Sequence, residues 1–223
     1  ILNSTEELGY KVGSNNCPDS SIIIDDNTAN GPAPEVGIAG EVGAIYRWSG
    51  AVQPEGYDVL IEITDKTSNA DLIAIDVDNA TPFRADAWRP QIGHPFSGPT
   101  EAWIEFEVRF VQPGTGGDPS NPAQILEELD RNGFLASDID GNCTENETAL
   151  FYNIDSYFLS ENTDLTVTET SPGSGDYRTA SPTGGGNASA DEDVGFFAFY
   201  NTPQSIYTMR LGTTRGFGCS NDR

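Results

Sequence analysis

Basic residues are scarce in this sequence, as are histidine, cysteine and long apolar runs. Eleven Lys and Arg stand against 35 Asp and Glu, giving a formal net charge of −24. Such a chain repels phosphate backbones, which argues against a nucleic-acid partner, and an anionic membrane surface does not attract it. No stretch approaches the ~20 consecutive apolar residues of a membrane-spanning helix, so no membrane insertion is expected. One histidine, His94, and three cysteines without a CxxC pair make no credible zinc set. There is no G-x-S-x-G elbow, P-loop or H-E-x-x-H helix, and the sequence predicts no enzyme.

The cysteines Cys17, Cys143 and Cys219 are too few for a disulfide scaffold and the wrong number for complete pairing. In an oxidising compartment the simplest arrangement is one bridge and one spare thiol. A Cys17–Cys219 bridge would join the two ends of one domain, and Cys143 is the alternative partner for either. The chain opens on Ile1 rather than Met, which fits a removed leader and an extracellular or cell-surface location.

Glycine and proline are abundant, 24 and 14 residues, and with Thr, Ser and Asn they predict many turns and few helices. A chain of this length buries about 70% of its unfolded surface, enough for a sizeable core. Strand patterns arrive regularly from Glu41 onward, over 42–48, 57–64, 72–77, 102–111, 150–154, 165–170, 194–200 and 206–211. The clearest is 102–111, where Ala102, Ile104, Phe106, Val108 and Phe110 alternate with Glu105, Glu107 and Arg109. That period marks a half-buried antiparallel strand. In 57–64, Leu60 breaks the alternation. The spacing predicts a helix over 122–132, with Ile125, Leu126 and Leu129 on one face and Gly133 as its stop. Residues 171–190 read as a mobile Ser/Gly/Pro loop. The fold class expected is all-β: a single antiparallel β-sandwich of jelly-roll character over 36–223, with one short helix. Residues 1–35 form an N-terminal extension. Its apolar run Ile22, Ile23 and Ile24 is either an edge strand of its own sheet or a strand given to a neighbouring copy.

The richest stretch in oxygen donors is 137–146. Asp138, Asp140, Asn142 and Thr144 alternate as a calcium loop requires. It is no EF-hand, because the sixth position is Cys143 and the twelfth is Ala149. The plainer reading is a self-capping Asp/Gly turn. Asp76 and Asp78 form a second candidate cation pair, against a plain solvent-facing strand edge. Asp25-Asp26-Asn27 and 191–193 read as solvated charge. Glycosylation triplets occur at Asn3, Asn79, Asn142, Asn146 and Asn187. Among the aromatics, Trp88 and Trp103 are candidate sugar-stacking platforms. Trp103 shares the outward parity of Glu105, and packing under a second layer is its alternative. Trp88 sits among arginines, where stacking can simply order a loop. Glu105 and Glu107 lie on one strand face, roughly 7 Å apart. With Arg109 beside them they read as a surface charge ladder rather than a glycosidase pair.

Several segments in order, 43–48 (GAIYRW), 56–64 (GYDVLIEIT), 83–91 (FRADAWRPQ), 102–110, 137–141 (SDIDG), the Ser156–Tyr157 pair and 200–212, carry a resemblance. They resemble an extracellular β-sandwich module that recurs in large secreted and surface proteins of marine and gliding bacteria. The resemblance covers residues 40–215 and implies a structural or adhesive role without established catalysis. The cysteine-bearing ends and the 113–133 segment depart from it. The expectation is therefore a non-catalytic extracellular structural or adhesive protein, a surface or filament subunit stabilised by calcium. It would self-associate through Ile22, Ile23 and Ile24. The second expectation is a carbohydrate-binding module that uses Trp88 and Trp103 on a polysaccharide.

Overall fold

The computed structural model describes residues 21–22, 31–53, 56–76, 88, 90–93, 101–117, 121–125, 132–136, 139, 145–159, 163, 165–180 and 195–215. Among them the fold is all-β and antiparallel, consistent with a β-sandwich, and contains no helix. The strands are β1 (Ser21–Ile22), β2 (Ile45–Gln53), β3 (Tyr57–Lys66), β4 (Asp71–Ala74), β5 (Gln91–Gly93), β6 (Glu101–Val111) and β7 (Asn132–Ala136). They continue as β8 (Glu145–Phe151), β9 (Ser156–Leu159), β10 (Thr166–Glu169), β11 (Tyr177–Ala180), β12 (Phe196–Tyr200) and β13 (Ile206–Arg215). The chain divides into two compact units.

The first unit comprises Ile1–Thr64, Asp71–Gly93 and Glu107–Leu126. Its strands run in the order β1-β2-β3-β6, beside a β4-β5 hairpin. Ser21 and Ile22 pair with Gln53 and Val52 of their own chain, so this start of the apolar run is an edge strand here. Ile23 and Ile24 lie outside the described residues. Val59, Ile61 and Ile63 are buried as their alternation requires, and so is Leu60 on the opposite face. The cause is the segment that follows β6. Gly116 comes so close that an added Cβ would lie 2.5 Å from Leu60 Cδ1. β3 is covered on both faces at that point, so its alternation fails there.

The same segment overturns the helix expectation over its described part. Pro122 to Ile125 are not helical. Ile125 bridges to Val111, the Gln112 N–H donates to the Gln124 carbonyl at 3.3 Å, and Asn132 already opens β7. Three apolar residues on one helical face give only weak local stability, and pairing with the end of β6 offers the backbone a tertiary partner instead. Residues 126–131 lie outside the described residues.

The second unit comprises Asp65–Ala70, His94–Phe106 and Glu127–Arg223. Strands run in the order β6-β13-β8-β11-β10, with a three-stranded sheet β7-β12-β9 against them. Aromatic rings join the layers. Phe151 of β8 stacks on Phe196 of β12 at 5.3 Å, and Tyr157 of β9 meets Tyr177 of β11 at 5.0 Å. Tyr207 of β13 meets Phe134 of β7 at 5.2 Å and Tyr200 of β12 at 5.0 Å. Each such pair adds about 0.5–1.5 kcal/mol beyond its area burial. Residues 171–190 are not all loop. Gly173 and Gly175, at φ 77 and 74, make a turn capped by the Glu169 carboxylate on the Gly173 N–H at 2.7 Å. β11 then pairs with both β10 and β8. Tyr177-Arg178-Thr179-Ala180 has little apolar alternation, so periodicity does not reveal it. Strands β5, β7 and β9 are likewise short, and the sequence pattern does not mark them.

Gly212 of β13 has a steric reason. A Cβ there would sit 2.3 Å from the Ala102 carbonyl oxygen and 2.7 Å from Trp103 Cβ. Gly212→Ala should therefore cost about 1–3 kcal/mol by overpacking and lower Tm by roughly 2–4 °C per kcal/mol. An unchanged melting curve would mean that β6 and β13 do not approach this closely.

Candidate functional site

In the second unit, the alternation of β6 turns Glu101, Trp103 and Glu105 away from the core. Register completes this face. Arg210 of β13 pairs with Leu150 of β8, which pairs with Arg178 of β11, so two arginines flank one leucine in a single row. The Arg210 guanidinium lies 3.9 Å from the Trp103 ring centre and 5.6 Å from that of Tyr152. Its Nε donates to Glu105 Oε2 at 2.7 Å, and the Tyr152 hydroxyl donates to the same oxygen at 3.0 Å. Burial, together with this carboxylate, pushes the Tyr152 phenol up to about 12. At the other side Arg178 Nη2 donates to Glu101 Oε1 at 2.5 Å. That pair is 39% and 36% exposed, so it is worth about 0–1 kcal/mol. Between the arginines lies a crevice of about 90 Å³, lined also by Trp103, Thr148 and Leu150.

The first unit holds a different cluster. Asp58 of β3 is 2% exposed and accepts from Arg47 Nη1 at 2.6 Å and from the Gly50 and Gly114 N–H groups at 2.8 Å each. Arg47 also reaches Glu35 at 2.8 Å and the Thr115 carbonyl at 2.6 Å. Burial would raise the Asp58 carboxyl, but two backbone donors and the guanidinium outweigh it and hold it below its ordinary value. The alternation in 57–64 places Asp58 outward; it does not reveal the segment that covers it. In the same unit Arg109 bridges Glu62 and Glu107. Glu105 and Glu107 thus each have a cationic partner.

The other expected residues are distributed as follows. Trp103 stands at the crevice, with Arg210 over its ring. Trp88 is half-buried, and its Nε1 donates to the Ile75 carbonyl at 2.7 Å, a loop-ordering role. Trp48, the third tryptophan, is core. Asp76 is 5% exposed just after β4; its proposed companion Asp78 lies outside the described residues. So do Asp138, Asp140, Asn142 and Thr144, the cysteines Cys17, Cys143 and Cys219, and Asn3, Asn79 and Asn187. Among the described residues no three His, Cys, Asp or Glu side chains cluster as a metal site. Asn146 lies in β8 at 4% exposure, a placement with little room for a glycan on the folded strand.

The fold and this outer face define an antiparallel β-sandwich protein with an arginine–aromatic platform. Scanned against protein-family models, the chain matches none, and no curated protein is significantly similar to it in sequence. Chemically, the platform offers planar N–H donors, a hydroxyl and an aromatic edge, which suit binding.

Asp58→Asn takes away the buried one of Arg47's two carboxylate partners, leaving Glu35, and should cost about 1.5–3 kcal/mol, the worth of a hydrogen bond to a charged group. Because the folded carboxyl is depressed, its contribution is full above the unfolded value of about 3.9 and fades as pH falls through the lower folded value. Melting temperature measured against pH should show this acid loss in the wild type and a flatter acid limb in Asp58→Asn. Parallel curves for the two proteins would refute the assignment.

Proposed function

We propose that the chain is a non-catalytic extracellular structural or adhesive protein, a cell-surface or filament-forming subunit stabilised by calcium. The observation that carries this reading is the outer face of the β7-β12-β9 sheet. None of its residues is charged, in a chain where 21% are. Phe158, Phe199 and Phe197 form a row there, with ring centres 5.0 and 4.2 Å apart. Phe158 is among the exposed large apolar side chains. At a net charge of −24, copies repel each other almost everywhere, and a charge-free aromatic face is where they can meet. The N-terminal strand adds a second route. A neighbour's Ile22, Ile23 and Ile24 could take the place against Val52 and Gln53 that the chain's own Ser21 and Ile22 occupy. Calcium is supported by the acid excess, the 138–144 spacing and the buried Asp76.

A second reading is a carbohydrate-binding module. The crevice beside Trp103 favours it, and Trp103 rather than Trp88 would be its platform.

Electron microscopy and light scattering of the purified protein test the first reading. Wild type should form polymers or discrete oligomers, which Phe158→Lys disrupts by placing charge on the aromatic row. Removal of residues 1–30 should abolish polymers if strand exchange links the subunits. A strictly monomeric wild type sinks the subunit role. For calcium, Tm should rise by several degrees from EDTA to excess calcium, as for any ligand that binds only the folded state; identical curves count against it.

A further inference from the structure

The crevice on the outer face of the second unit contains an arginine that is held in place but not used up. Arg210 is fixed on three sides: Trp103 packs against its plane, Tyr152 flanks it, and Glu105 takes its Nε. Its two terminal nitrogens make no hydrogen bond to a described residue. A guanidinium clamped in this way has already lost its rotamer freedom, and the planar fork that remains matches a carboxylate with two parallel N–H···O bonds. Arg178 faces it across Leu150. Its exposed pair with Glu101 is weak enough to exchange for a ligand oxygen. Thr148 supplies a hydroxyl, and Trp103 and Leu150 supply apolar surface for ring carbons.

We infer that this crevice binds the carboxylate of an acidic saccharide, with Arg210 as the bidentate anchor and Arg178 as the second cation. The inference rests on the carbohydrate-binding reading and adds the ligand's charge to it. The large negative charge of the chain does not forbid this. The near carboxylates, Glu105 and Glu101, are each paired with one of the two arginines, and exposed charges more than a Debye length away, ~8–10 Å, are largely screened at physiological ionic strength.

The test is calorimetric titration of the whole chain at physiological ionic strength, with EDTA present so that calcium cannot bridge acidic groups. The probes are tetragalacturonate, neutral cellotetraose and a sulfated carrageenan tetrasaccharide. Tetragalacturonate should bind, and best of the three. Arg210→Lys keeps the charge but loses the fork, and Arg178→Gln alters an exposed pair that folding does not need. Each should weaken uronate binding by about tenfold, the worth of one charge-assisted hydrogen bond. Lys66→Gln, a charge loss elsewhere, should change it by less than about twofold. Preference for the neutral or the sulfated probe, or equal losses in all three variants, overturns the assignment of the crevice to a saccharide carboxylate and leaves carbohydrate binding standing. No binding of any probe removes both.

Discussion

A carboxylate taken out of water must find donors, and in this chain the one at Asp58 organises its surroundings. Desolvating an unpaired charge costs several kcal/mol even after relaxation, so Asp58 requires what it has: a guanidinium and two backbone N–H groups. One of those N–H groups belongs to Gly114, and the Thr115 carbonyl is taken by the same Arg47. The segment after β6 is thereby pinned onto the outer side of β3. Once pinned, it buries Leu60 and pairs Ile125 with Val111. The lost alternation in β3 and the non-helical start of 122–132 have this one electrostatic cause.

The same economy recurs in the second unit. Basic residues are few, yet each arginine whose side chain is described forms an ion pair: Arg47, Arg109, Arg178 and Arg210. Arg109, Arg178 and Arg210 reach partly exposed carboxylates on neighbouring or more distant strands, and Arg47 reaches the buried Asp58 of β3. Cross-strand opposite charges contribute only about 0.2–1 kcal/mol each, so their role is to fix register as much as to add stability. The stronger cohesion lies on the inner faces, where Phe151, Phe196, Tyr157, Tyr200 and Tyr207 make the seam between the layers.

Much of this was legible because β6 follows the simplest rule of a half-buried strand. Its alternation placed Trp103 and Glu105 outward and the five apolar residues inward, as the burial pattern has it. What stayed hidden was non-local. Nothing local to Tyr177-Arg178-Thr179-Ala180 announces a strand; only pairing with β8 and β10 makes it one. The partner over Trp103 is Arg210, more than a hundred residues away, and a single sequence cannot show that pairing. Gly212 offered a faint signal, since a glycine inside an apolar strand pattern often marks a close approach of another backbone. Asp58 offered none, because an outward acid next to a strand end looks the same whether or not a later segment covers it. The four calcium donors of the most conspicuous motif in the sequence, Asp138, Asp140, Asn142 and Thr144, lie outside the described residues.

Arg210 shows how one residue can serve the fold and a ligand without conflict. Its Nε edge and its flat face are engaged by Glu105 and Trp103, while its terminal edge points elsewhere. Stability draws on the first two and recognition on the third. A lysine in its place would have to choose, because a single ammonium cannot stack flat on an indole, bond a carboxylate and offer a parallel pair of donors at once. The constraint then runs back to the sequence. Trp103 lies over β13 to stack on Arg210, and beside it the close approach of the β6 main chain, nearest at the Ala102 carbonyl, leaves no room for a side chain at Gly212.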